Sequence, residues 1–133
     1  MLMPLIDRYM KRQPQTIHAD ARLAAAGELM RESGIRHLPV LRDGKLVGVV
    51  SQRDLYRLER LRYLESNFTV KDAMKENVFT VLAETPVDDV VEAMAEHKYG
   101  SAVIVDRDQT ILGIFTTTDG MQVLADVLRR ATA

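Results

Sequence analysis

Residues 48–54 read "GVVSQRD" and residues 113–119 read "GIFTTTD". Each run is a glycine, two apolar residues, a hydroxyl side chain, two variable positions and an aspartate. Ser or Thr followed three residues later by an acid, after an apolar run, marks a strand that passes into a capped helix. The same run written twice in one short chain points to a repeat, and the repeat decides the fold.

Working outward, a shift of 64 residues brings Met10-Lys11 onto Met74-Lys75, Thr16 onto Thr80, Ala19 onto Ala83, Glu28 onto Glu92, Met30 onto Met94 and Glu32 onto Glu96. One extra residue in the second copy, between strands, then carries Gly48 onto Gly113 and Asp54 onto Asp119. Turns tolerate such a change of length. Two copies of one unit follow, a first repeat with its lead-in over 1–66 and a second over 67–133.

Both copies have the same order of elements. A short β run comes first, "QTIH" or "FTVL". Leu23, Ala26, Gly27 and Met30, matched by Val87, Val90, Val91 and Met94, then fall at i, i+3, i+4 and i+7, one face of a helix. Thr85-Pro86 with Asp88 and Asp89 behind it is a helix start, and Asp20 is expected to cap the first helix. Two further β runs follow, "HLPVL" and "KLVGVVS" around Asp43-Gly44, and "SAVIV" and "TILGIFT" around "DRDQ". Asp-Gly between β runs is a hairpin signal. Second helices are predicted over roughly 52–65 and 117–130, and Thr69 is expected to cap a short turn through Met74. Residues 66–70 read as the linker.

The fold class is therefore α/β (α+β), two β-α-β-β-α repeats. A three-stranded sheet with helices on one face leaves apolar surface uncovered, so the repeats are expected to pack sheet-to-sheet with pseudo-two-fold symmetry. Met1–Gln13 is expected to pack on the second copy or on a neighbour.

Composition narrows the function. Apolar residues make up 47% and charged ones 28%, as in soluble globular chains. With no cysteine, disulfides and thiolate metal sites are excluded. No apolar stretch approaches the roughly 18 residues of a membrane span, and "MLMPLIDRYMKRQP" is not a secretory signal, so a cytoplasmic location is expected. Residues 1–66 carry 12 Lys/Arg against 8 Asp/Glu, and residues 67–133 carry 6 against 11. The basic residues are interleaved with acids and lack an aromatic stacking surface, which argues against nucleic acid as a partner. His18, His37 and His97 lack metal-ligand spacing. Nothing in the chain activates water or a nucleophile, and no enzyme is expected.

Ser51 with Asp54, and Thr116 with Asp119, are explained by helix capping alone. The same geometry also suits a ligand: a helix N-terminus and a hydroxyl favour phosphate, and a carboxylate can accept from both hydroxyls of a ribose. Capping and binding are compatible wherever the cap leaves groups free.

The runs "TIHADA", "IRHLPVL" and "GVVSQRD", then "TVLAET", "YGSAVIV" and "GIFTTTD", resemble a tandem pair of CBS domains, a Bateman module, over about residues 6–130. The resemblance implies a stand-alone regulatory module that binds an adenosine-type ligand (AMP, ADP, ATP or S-adenosylmethionine) in clefts between the repeats. Carried over, one site uses Ser51, Arg53 and Asp54 with Thr80 and Ala83. The other uses Thr116, Thr118 and Asp119 with Thr16, His18 and Ala19. Arg36 and His37 stand where relatives place phosphate-binding basic residues, and Gly100 and Ser101 stand there in the second copy. The phosphorylated ligand is therefore expected at the Asp54 site. The resemblance also implies a homodimer joined through helices such as the amphipathic "MQVLADVLRRATA", with an effector protein as reader; no metal or resident cofactor is expected. The alternative is a structural or protein-interaction module with vestigial sites.

Overall fold

The computed structural model describes residues 2–60 and 67–132. After a 3-10 turn at Ile6–Arg8 the elements run β1 (Lys11–Arg12), β2 (Ile17–His18), α1 (Leu23–Ser33), β3 (His37–Arg42), β4 (Lys45–Ser51), α2 (Gln52–Glu59), α3 (Val70–Ala73), β5 (Thr80–Leu82), α4 (Val87–His97), β6 (Ser101–Val105), β7 (Ile111–Thr116) and α5 (Thr117–Thr132). The chain forms two compact units, Pro14–Val78, and Met1–Gln13 with Phe79–Ala133.

In the Pro14–Val78 unit, β2 runs parallel to β3, and β3 runs antiparallel to β4. Asp43 and Gly44 both take positive φ, 53° and 75°, the backbone that a two-residue hairpin turn requires. The register sets His37 opposite Ser51 and Val40 opposite Gly48. Period-2 alternation and the helix stripe then meet in one core of Ala19, Ala26, Met30, Leu38, Val40, Val50, Leu55 and Val70.

The other unit repeats the plan. Strand β5 is parallel to β6, and β6 is antiparallel to β7. Each hairpin carries a register shift at the matching place, Val40/Leu41 and Ile104/Val105. The extra residue of the second copy lies in its β6–β7 turn, where the Asp106 carboxylate accepts from the Asp108 and Thr110 N–H groups, both at 2.9 Å. Phe115 is fully buried among Ile6, Met10, Val87, Val90, Met94, Ala102 and Ile104.

The compact units and the sequence repeats divide the chain differently. The lead-in of the first repeat belongs to the unit that holds the second repeat, and residues 67–78 belong with the first. The two attachments are the same bond for bond. Asp7 N donates to Ala83 O and Ile6 N to Thr85 O; Lys71 N donates to Ala19 O and Val70 N to Ala21 O. In return Val87 N donates to Pro4 O, and Leu23 N to Phe68 O. Strand β1 pairs with β7 through Lys11 and Ile114, and Lys75 bridges Val49 in the same way.

These bonds correct one expectation. Asp20 does not cap α1: the cap position is Arg22, with no side-chain cap bond, and Asp20 Oδ1 is instead held by Arg42 and Lys71 at 3.2 and 3.6 Å. A carboxylate two residues upstream of the cap is drawn to those cations, while the lead-in carbonyl takes a helix-end N–H that a cap would otherwise serve. Helix α4 likewise starts after Pro86 with no side-chain cap bond. Thr69 does stand at the cap position of α3, in a capping box with Asp72, whose Oδ2 accepts from Thr69 N and Oγ1 at 2.8 and 3.2 Å. The expected strands at 15–18 and 79–82 are shorter, and α5 runs two residues further than expected. The expected end of the helix after Ser51, and the start of the expected linker, fall in 61–66, outside the described residues.

Candidate functional site

Strand β4 delivers Ser51 to the start of α2, and there the two halves of the capping box close. Ser51 N and Oγ donate to Asp54 Oδ2 at 2.8 and 2.9 Å, and Asp54 N donates to Ser51 Oγ at 3.2 Å. Gln52 N is taken by Arg36 O at 2.8 Å. Capping thus engages one carboxylate oxygen of a residue that is only 6% exposed. The other, Oδ1, faces Lys75 Nζ at 3.9 Å.

The second copy repeats the carboxylate half of this box. Thr116 N and Oγ1 donate to Asp119 Oδ2 at 2.9 and 3.2 Å, Thr117 N is taken by Gly100 O, and Asp119 Oδ1 faces Lys11 Nζ at 3.7 Å. Each lysine comes from a lead-in, and each lead-in lies close because the neighbouring strand has a glycine. A Cβ on Gly48 would stand 2.5 Å from Met74 Sδ and 2.9 Å from Lys75 O. On Gly113 it would stand 2.6 Å from Met10 Sδ and 2.8 Å from Lys11 O. A sulfur can swing aside, but a ladder carbonyl cannot.

The two carboxylates differ in their surroundings. His37, opposite Ser51 in the β3–β4 register, is held below the ordinary imidazole value by burial; Asp54 opposes the shift, while Arg36, Lys75 and Arg53 add to it. One acid, three bases and an imidazole therefore share one end of this unit. At the matching positions of the second copy stand Gly100, Ser101 and Thr118, with Ser101 buried.

The remaining expected residues lie at the strand starts. Thr16 precedes β2, whose His18 Nδ1 accepts from Asp20 N at 3.0 Å. Ala19 is fully buried, and its carbonyl accepts from Lys71 N. Thr80 opens β5 and is exposed, and Ala83 O accepts from Asp7 N at 3.2 Å. Thr16, His18 and Ala19 belong to the compact unit of Asp54, and Thr80 and Ala83 to that of Asp119. Lys11 and Lys75 were not among the expected site residues. Their signal was the 64-residue match of Met10-Lys11 with Met74-Lys75. Among the described residues, no group of three or more His, Cys, Asp or Glu could hold a metal ion. No described helix is long and apolar enough to cross a membrane.

The family model described as "CBS domain" matches twice, over residues 6–60 and 70–126. The chain belongs to the CBS domain family. Its CBS pair is similar to a solved CBS domain pair of protein MJ0100 in complex with 5′-methylthioadenosine and S-adenosyl-L-methionine, at 25% identity and TM-score 0.84, covering 94% of this chain and 98% of that one. It is also similar to CBSX2 in complex with AMP, at 27% identity and TM-score 0.81, covering 92% and 97%. Over 108 residues it is 29% identical to an inosine-5′-monophosphate dehydrogenase of Thermoplasma acidophilum, covering 81% of this chain and 21% of that enzyme. The chain spans between 21% and 36% of the length of the curated relatives it matches first.

Proposed function

We propose that this CBS pair is a regulatory module, not an enzyme, that binds an adenosine-type ligand through Asp54 and, more weakly, through Asp119. The observation that carries the reading is a buried carboxylate with one oxygen spent on the cap and the other outside the cap, facing the exposed Lys75 ammonium, with Arg36, His37 and Arg53 at the same end of the unit. The oxygen outside the cap suits a ribose hydroxyl, and the bases suit a phosphate, since charge-assisted bonds are roughly twice as strong as neutral ones. AMP and S-adenosyl-L-methionine on similar CBS pairs support the ligand class. On the resemblance, Thr80 and Ala83 complete the Asp54 site, and Thr16, His18 and Ala19 complete the Asp119 site. The module acts in the cytoplasm and needs no metal or resident cofactor.

A thermal-shift panel of AMP, ADP, ATP, S-adenosylmethionine and adenosine tests this. A ligand at a hundred times its Kd adds about 2.7 kcal/mol of stability. No shift with any of them returns the chain to the second reading, an interaction module in which Ser51 and Asp54 cap a helix and do nothing more. The cap bonds themselves favour that reading, because they account for both residues without a ligand.

Regulation requires a reader and two states with different ligand affinities. We assign the reading surface to a homodimer and an effector protein. Helix α5 supports this: it holds no buried residue and leaves Met121, Leu124, Val127 and Leu128 exposed.

A further inference from the structure

We infer that Lys75 and Lys11 are built-in competitors for the ligand, each holding the carboxylate oxygen that a ribose must take. The inference rests on the proposed reading of Asp54 and Asp119 as ribose acceptors, and it adds a determinant of affinity at the same sites.

Oxygen Oδ2 of each aspartate already accepts from the N–H and hydroxyl of the capping residue. A ribose diol therefore meets Oδ1. That oxygen is paired with a lysine ammonium, 3.9 Å away at Asp54 and 3.7 Å away at Asp119. The backbone of each lysine is fixed beside its aspartate by strand pairing. Lys75 N and O both bond to Val49, at 2.9 and 3.0 Å, and Lys11 stands opposite Ile114 in the matching ladder position. The arrangement is built twice, from segments 64 residues apart in sequence.

The side chains of Lys75 and Lys11 are 62% and 73% exposed, against 5% and 11% for Asp54 and Asp119. An exposed, hydrated cation thus covers an acceptor that is buried at Asp54 and largely shielded at Asp119. A ribose hydroxyl displaces it at the cost of one partly exposed ion pair. The freed ammonium, still tethered by its backbone, then has a ligand phosphate as its next acceptor. The same lysine thereby disfavours a nucleoside and tolerates a nucleotide.

Titration calorimetry with adenosine and AMP tests this in a chain whose second site is removed by Asp119→Ala. In that chain, Lys75→Met should tighten adenosine binding by about twofold to fivefold, the range of an exposed ion pair, and should not tighten AMP binding. Adenosine affinity of the parent should rise with salt as the pair is screened; the Met variant should lose that dependence, and Lys75→Arg should restore it. Unchanged or weaker adenosine binding in the Met variant, with binding still abolished by Asp54→Ala, overturns the competitor role and leaves the ribose site standing. Adenosine binding that survives Asp54→Ala overturns both.

Discussion

At the scale of single residues, a buried carboxylate and a half-buried imidazole set the behaviour of the first site. The folded chain holds His37 below its ordinary value of 6.5, chiefly through burial. The unfolded chain therefore binds that proton more readily, and the contribution of His37 to stability is complete above about pH 6.5. It is lost as pH falls through the lower folded value. Thermal melts between about pH 7.5 and pH 5 should show declining stability, and His37→Gln should flatten that decline. The asymmetry between the copies gives a second test. Asp54→Ala should abolish AMP binding and cost about 1 kcal/mol of stability through the lost cap, whereas Asp119→Ala should leave most AMP binding intact. The reverse order in calorimetry would show that Arg36, His37 and Arg53 do not decide where phosphate goes. Ser51, Asp54, Thr116 and Asp119 were legible in the sequence because cap chemistry fixes their spacing. Lys11 and Lys75 were not, because their closeness to the aspartates comes from β pairing between segments far apart in sequence.

At the scale of elements, strands and helices were legible where the local pattern decides, and less so at their ends. The stripes of α1 and α4 and the Asp-Gly turn all follow from spacing and turn chemistry. The start of α1 does not, because a carbonyl from Phe68 serves the N–H of Leu23. The helix ends offer a clean comparison. Gly34 after α1 and Lys98 after α4 both take left-handed backbone, φ 65° and 58°, with their N–H groups on Met30 O and Met94 O. A left-handed lysine costs roughly 1–2 kcal/mol, partly offset by the lower entropy of its unfolded chain. Lys98→Gly should therefore stabilise the protein by roughly 0.5–1 kcal/mol in denaturant titration. Helix α5 makes a prediction of another kind. Its outward Leu124 and Leu128 are 46% and 56% exposed. If they carry the proposed homodimer, Leu124→Glu with Leu128→Glu should give a monomer by light scattering without lowering the melting temperature of dilute protein by more than a few degrees. A change in melting temperature with no change in mass would place the face inside the fold instead.

At the scale of the whole chain, the sequence repeat and the compact unit do not coincide. Each lead-in precedes one repeat and completes the sheet or core of the other. The reason is visible in what residues 67–78 supply to Pro14–Val78. Val70 is fully buried among Ala19, Ala26, Leu38 and Leu55, Phe68 O takes the first N–H of α1, and Lys75 pairs with Val49. Burying one valine contributes about 1.5–3 kcal/mol, a decisive amount for a unit of about 60 residues, which is marginal on its own. Fragments 1–66 and 14–78 contain the same repeat and nearly the same number of residues, but only the second carries these groups. Fragment 14–78 should show a cooperative thermal transition by circular dichroism. Fragment 1–66 keeps a lead-in whose Ile6 has lost Val87 and Phe115, and lacks the one its own core requires. It should melt without a transition, or gain one when a peptide of residues 67–78 is added. Equal cooperativity in both fragments would mean that the lead-ins decorate the repeats instead of completing them. The sites would be affected too, since each carries its lysine on the same lead-in that finishes the fold.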